Sequence, residues 1–153
     1  MNVLYYEKMV CIYEILLLTG SALACAAVGY IFPGIIMMMA PVVFVLMLLI
    51  LVLGTMGVSI TDRRLTIRYG MVYRYNIDLK DITDVREDDR SIWAYGGSGI
   101  KFTRINGVRV RAYTTMGYPR VVVSIKAPAQ REVVFSTRNP DTVVSILLRY
   151  AGR

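Results

Sequence analysis

Apolar residues run almost without interruption through the first third of the chain and then begin to alternate with polar ones. From Ile15 to Thr61 there are 47 residues with no Asp, Glu, Lys or Arg. A hydrocarbon core takes about 20 residues of helix, so this run is too long for one span and suits two. The segment Ile31-Phe32-Pro33-Gly34 divides it, because proline disfavours helix in the residue before it and glycine readily turns. The pattern predicts a transmembrane helical hairpin over residues 1–57, with spans near Met9 to Tyr30 and Gly34 to Met56.

Beyond Gly57 the period becomes that of strands. In Leu65-Thr66-Ile67-Arg68-Tyr69 and again from Val72 to Leu79, apolar or aromatic positions alternate with polar ones. Further strands are expected in GIKFTR, VRVRAY, RVVVSIK and REVVF, separated by turns at Asn106-Gly107, Gly117-Tyr118-Pro119 and Ala127-Pro128. The pattern then breaks at Asn139-Pro140-Asp141. These suit a helix cap, first position and first turn, and Val143, Leu147 and Tyr150 share one face of a helix at about 140–150. Residues 58–153 therefore read as a mainly β domain, an antiparallel barrel or sandwich of about seven strands closed by a C-terminal helix.

Charge gives the halves an orientation. Asp62 to Arg153 holds 17 basic and 9 acidic residues, and Arg63, Arg64, Arg68 and Arg74 follow the second span while the inter-span turn is uncharged. Positive flanks stay on the cytoplasmic side, so both termini are expected there, in a multi-pass protein of the cell (plasma) membrane. Tyr5, Tyr6 and Tyr13 at one edge, and Tyr30 with Phe32 at the other, suit interfacial aromatic belts. The rival reading is a cleaved lipoprotein signal ending at Ala22-Leu23-Ala24, just before Cys25, which two glutamates near the start and a second apolar stretch argue against.

The candidate chemistry is sparse. Ser21, Cys25 and Gly29 recur every four residues and are expected to let the helices approach closely. Met37, Met38 and Met39 point in three directions around a helix and cannot converge on a soft metal. Gly96, Gly97 and Gly99 invite a phosphate-loop reading, but no Gly-Lys-Ser/Thr follows and the next element is a strand, so a structural turn is expected, with Trp93 and Tyr95 covering the core. In DVREDDR the arginines are interleaved among the acids, which favours a solvated loop over a calcium site. With no histidine and two cysteines in one apolar segment, neither a metal site nor a Ser-His or Cys-His centre is expected, and no enzyme or cofactor is read from the chain. The basic excess fits nucleic acid or anionic lipid. The anchor favours lipid, with Arg63, Arg64 and Arg68 as head-group candidates, unless these arginines only set topology.

The stretches SITDRRLTIRYG leading to IDLKDITDV, WAYGGSGIK and FSTRNPDTVVSIL resemble those of small prokaryotic two-span membrane proteins with a cytoplasmic pleckstrin-homology-like domain. The resemblance covers most of the chain after Gly57, with the hairpin similar in layout alone. It implies a bent barrel plugged by the final helix, although that helix lacks the tryptophan of the lipid-binding eukaryotic relatives. The expected role is a binding or scaffolding module at the cytoplasmic membrane face. Alternatives are a sensor of anionic lipid head groups, or an accessory subunit of a membrane enzyme or transporter complex; the partners expected beside the bilayer are a membrane protein or further copies of the chain.

Overall fold

The computed structural model describes residues 2–126 and 131–151. The chain begins as a strand, β1 (Val3–Val10), and passes into α1 (Ile12–Ile31). A 3₁₀ turn at Pro33–Ile35 leads to α2 (Ile36–Leu53), and β2 (Thr55–Thr61) starts one residue after that helix ends. The remaining elements are β3 (Arg64–Tyr69), β4 (Tyr73–Asp78), β5 (Ile82–Glu87), β6 (Gly99–Ile105), β7 (Val108–Thr114), β8 (Arg120–Ile125), β9 (Arg131–Ser136) and α3 (Pro140–Tyr150).

The strands form two sheets, one in the order β1-β2-β3-β4 and one in the order β5-β8-β9-β7-β6. All pairings are antiparallel except β7 with β9, which run parallel because β8 lies on the far side of β9. The sheets share a core: Ile60, Leu65 and Ile67 from the first meet Tyr113, Val121 and Phe135 from the second. Val143 and Leu147 of α3 complete it, both fully buried. Asn139 stands at the α3 cap position, but its side chain accepts no helix amide, and its Nδ2 instead donates to the Tyr5 hydroxyl. A smaller cluster of Tyr95, Val110, Ala112, Val122 and Val134 lies on the other face of the five-stranded sheet.

Three expectations change. Among the described residues two strands, Val3–Val10 and Thr55–Thr61, join the seven, β3 to β9, that lie wholly within the stretch read as the β domain. α1 accordingly begins inside its expected span and α2 ends inside its own: Met9 and Val10 belong to β1, and Thr55 and Met56 to β2. The reason is pairing. Met9 opposes Met56, Val10 opposes Thr55, and burial of Met9, Met56, Val58 and Ile60 in the shared core outweighs the continuity of the apolar run. The two helices are thus the connection between adjacent strands of one sheet, and Gly57 lies inside β2. The turn expected at Ala127-Pro128 falls outside the described residues.

α1 is long and apolar enough to cross a membrane, and α2, with Pro41 inside it, is somewhat shorter. In α1 Ala22 and Gly29 are buried, and no described residue of α2 is. The close face is therefore Ala22, Cys25 and Gly29. Ser21 is exposed and its hydroxyl donates to the Leu17 carbonyl within the helix. Cys25, Ala26 and Gly29 border a cleft against Met39, Val43 and Met47 of α2.

Candidate functional site at the foot of the helices

Both helices stand on the β body, and their junction with it is dense in polar contacts. The Cys11 amide donates to the Gly54 carbonyl at 3.0 Å, joining the start of α1 to the end of α2. In the first turn of α1 the Glu14 carboxylate accepts the Thr115 hydroxyl at 2.9 and 3.0 Å. One strand earlier, the Glu7 carboxylate is buried and accepts the Tyr5 hydroxyl at 2.6 Å and the Arg138 amide at 3.1 Å. At the end of α2, Gly70 donates to the Thr55 carbonyl at 2.6 Å and Met71 to the Val52 carbonyl at 2.9 Å. The β3–β4 turn therefore stands level with the last turn of α2. It exposes Met71 and Val72 there, at 81% and 80%.

The glycine-rich segment reaches the same end of the molecule. Gly96, Gly97 and Gly99 have φ of 88°, 93° and 106°, backbone that favours glycine. Thr114 donates its hydroxyl to the Gly97 carbonyl, and Ser98, Gly99 and Ile100 border a cleft of about 430 Å³ with Tyr13, Leu17 and Leu53. Tyr95 is buried as expected, whereas Trp93 is 70% exposed. The correction has a physical cause: the 3₁₀ turn Ile92–Tyr95 can send one of the two rings inward, and Tyr95 takes that place because its hydroxyl reaches Asp88 at 2.8 Å.

Asp88 also alters the reading of DVREDDR as a solvated loop. Its side chain is 1% exposed and accepts from Arg90 and Arg120, both at 2.9 Å. Arg120 additionally bonds the Arg90 carbonyl, and Glu132 takes Arg90 at 3.0 Å and Arg86 at 2.8 Å. Burial alone would push the Asp88 pKa up, but the hydrogen bonds from Arg120, Arg90 and Tyr95 together hold it below the ordinary value. This network pins the segment that carries Trp93.

The three arginines proposed from the sequence do not lie together. Arg68 projects from the outer face of the first sheet, whereas Arg63 and Arg64 stand at the other end of β2 and β3. Arg64 is paired with Asp78 at 2.8 Å, and both arginines border a cleft of about 740 Å³ with Lys80 and Tyr150. Strand register supplies partners that sequence proximity did not. Lys8 opposes Gly57, Gly57 opposes Arg68, and Arg68 opposes Arg74, so three exposed cations and a glycine form one row across four strands. Searches against protein-family models, curated proteins and solved structures matched nothing.

Proposed function

We propose that this chain is an integral membrane protein whose β body, of pleckstrin-homology-like type, acts as a binding or scaffolding module held against the cytoplasmic face of the bilayer. The observation that carries this reading is the exposure of apolar side chains on all sides of the helices: Leu16, Leu17, Leu23, Phe44, Met47 and Leu51 are each more than half exposed. A helix apolar all round belongs in a core or in lipid, and this β body does not cover either helix. Both helix feet rest on the body, so residues 3–10 and those from 55 onward share one side of any bilayer the helices cross. The basic excess of the body makes that side cytoplasmic. Met71 and Val72, exposed at the foot of α2, and the exposed Trp93, whose ring lies beside Gly97, suit the interfacial layer where apolar and amphipathic residues settle.

The test uses the chain's own probe. Trp93 is the only tryptophan, so in vesicles its fluorescence should be quenched by lipids brominated near the glycerol, and less by lipids brominated at the chain ends. The protein should also stay with membranes through alkaline carbonate extraction, and a reporter fused after Tyr150 should be active in the cytoplasm. Release by carbonate would remove the membrane reading. Retention without Trp93 quenching would place the body away from the surface.

A scaffolding role for protein partners has its own support. β6 is an edge strand of the second sheet among the described residues, and it exposes Phe102 at 64% beneath the Arg111 guanidinium. Edge strands with an exposed aromatic offer both backbone hydrogen bonds and an anchor to an incoming strand.

A further inference from the structure

We infer that the outer face of the first sheet, beside the foot of α2, binds the head group of an anionic phospholipid, its phosphate lying over Gly57 among Lys8, Arg68 and Arg74. The inference rests on the membrane reading above and deepens it by naming a site and a ligand class.

Alternation fixes the direction of these side chains. In β1 to β4 the inward positions are Met9, Val58, Ile67 and Tyr75, whose neighbours Lys8, Gly57, Arg68 and Arg74 necessarily point outward. Arg68 stands directly opposite Arg74, an arrangement of like charges that opposes pairing unless an anion lies between them. Among the described residues neither arginine nor Lys8 has a carboxylate within ion-pair distance. By contrast Arg64, Arg86, Arg90 and Arg120 all do. Gly57 places no side chain between Lys8 and Arg68. The result is a cleft of about 550 Å³, floored by backbone and walled by the three cations, Tyr6 and Met71.

Its height decides in favour of lipid. Gly57 lies two residues along β2 from Thr55, about 7 Å from the end of α2 at strand rise. The polar layer on each side of a hydrocarbon core is roughly 5 to 8 Å deep, so the row stands within it. Thr61, next to the Arg63 and Arg64 turn, is six residues along, about 20 Å out and beyond direct reach of a head group. Met71 and Val72 border the same cleft on the helix side and would meet the glycerol and upper acyl carbons. A soluble phosphate would have no use for them.

The full chain should be reconstituted in phosphatidylcholine vesicles with and without phosphatidylglycerol. Flotation in alkaline carbonate would then read insertion, and native mass spectrometry after mild detergent extraction would read retained lipid. Wild type should retain phosphatidylglycerol in preference to phosphatidylcholine. Replacing all three cations, Lys8→Gln, Arg68→Gln and Arg74→Gln, should lower that preference about a hundredfold, and Arg74→Gln alone about fivefold. The pair Arg63→Gln and Arg64→Gln should leave it unchanged. Equal retention by the triple variant and wild type, loss of preference in the Arg63/Arg64 pair, or displacement of the lipid by inorganic phosphate would each overturn the site. A chain that does not float would overturn the membrane reading beneath it, whereas one that floats without lipid preference would overturn this site alone.

Discussion

Replacing Asp88 by alanine should destabilise the full chain in mild detergent by about 3 to 5 kcal/mol, the cost of leaving buried charge without its partner. Arg120 and Arg90 are only 15% and 28% exposed and both aim at this one carboxylate. Glu132 can compensate Arg90, which it already contacts, but it makes no bond to Arg120. Tyr95, which belongs to the second cluster, would lose the acceptor of its hydroxyl as well. Asp84 provides the comparison. It is 55% exposed and meets Arg86 at 3.4 Å, so Asp84→Ala should cost less than about 1 kcal/mol. The pH dependence has a definite sign. The folded-state pKa of Asp88 is depressed, so its contribution is complete above the ordinary carboxylate value near 4 and is lost as pH falls through the lower folded value. Wild type should therefore lose stability below about pH 4 more steeply than Asp88→Asn. Denaturant titration would decide the matter. An Asp88→Ala variant within about 1 kcal/mol of wild type would mean that the network is dispensable. Trp93 gives a second readout, because a released 88–98 segment should change its emission while the far-ultraviolet circular dichroism stays near native.

How far the sequence could be read follows from which signals are local. β3, β4 and β6 to β9 were legible because alternation lies within each strand, and α3 because cap, proline and apolar face fall within one short stretch. β1 was hidden. Its inward positions include a charged residue, Glu7, whose partners Tyr5 and the Arg138 amide lie partly on the far side of the sequence, and its outward positions include Tyr6 and Val10. β2 carried a usable signal, since Met56, Val58 and Ile60 alternate with Gly57 and Ser59, but it continues an apolar helix without a break in charge. The parallel β7–β9 pair was beyond reach, because it depends on β8 being placed outside β9. The same distinction governs the candidate site. Arg63, Arg64 and Arg68 look equivalent when counted from the end of a span, yet β2 carries the first two away from the helices and β3 brings only the third back. Lys8 and Arg74 join Arg68 through strand register, which no single window of sequence contains. Asp88 looked like its exposed neighbours because burial is decided by Arg120, thirty-two residues later.

Substitution of Gly70 should have the larger effect on the coupling between the helices and the β body. Gly70 has φ of +65°, and a side chain there would run into the Val52 carbonyl oxygen, with the Val52 carbonyl carbon at 3.0 Å and the Leu53 Cα at 3.2 Å. These atoms are backbone of the last turn of α2, so a Cβ can be accommodated only by moving that turn. Movement would break the bonds from Gly70 to Thr55 and from Met71 to Val52. The left-handed conformation costs an alanine about 1 kcal/mol, and two lost hydrogen bonds with the displaced turn should bring the total to about 4 kcal/mol. Gly96 and Gly99 separate the two causes. They share a positive φ but have open space where a Cβ would stand, so Gly96→Ala and Gly99→Ala should each cost about 1 to 2 kcal/mol, seen as a modest fall in melting temperature. Asparagine tolerates left-handed backbone, which makes Gly70→Asn the decisive variant. If close approach to Val52 governs the site, Gly70→Asn should be as damaged as Gly70→Ala. Recovery to near wild-type stability would show that backbone conformation alone explains the glycine. In the damaged variants Met71 and Val72 would lose their fixed height beside α2, and the cleft over Gly57 would lose its helix-side wall. Retention of phosphatidylglycerol should therefore fall in Gly70→Ala but not in Gly99→Ala, whose turn lies on the other sheet.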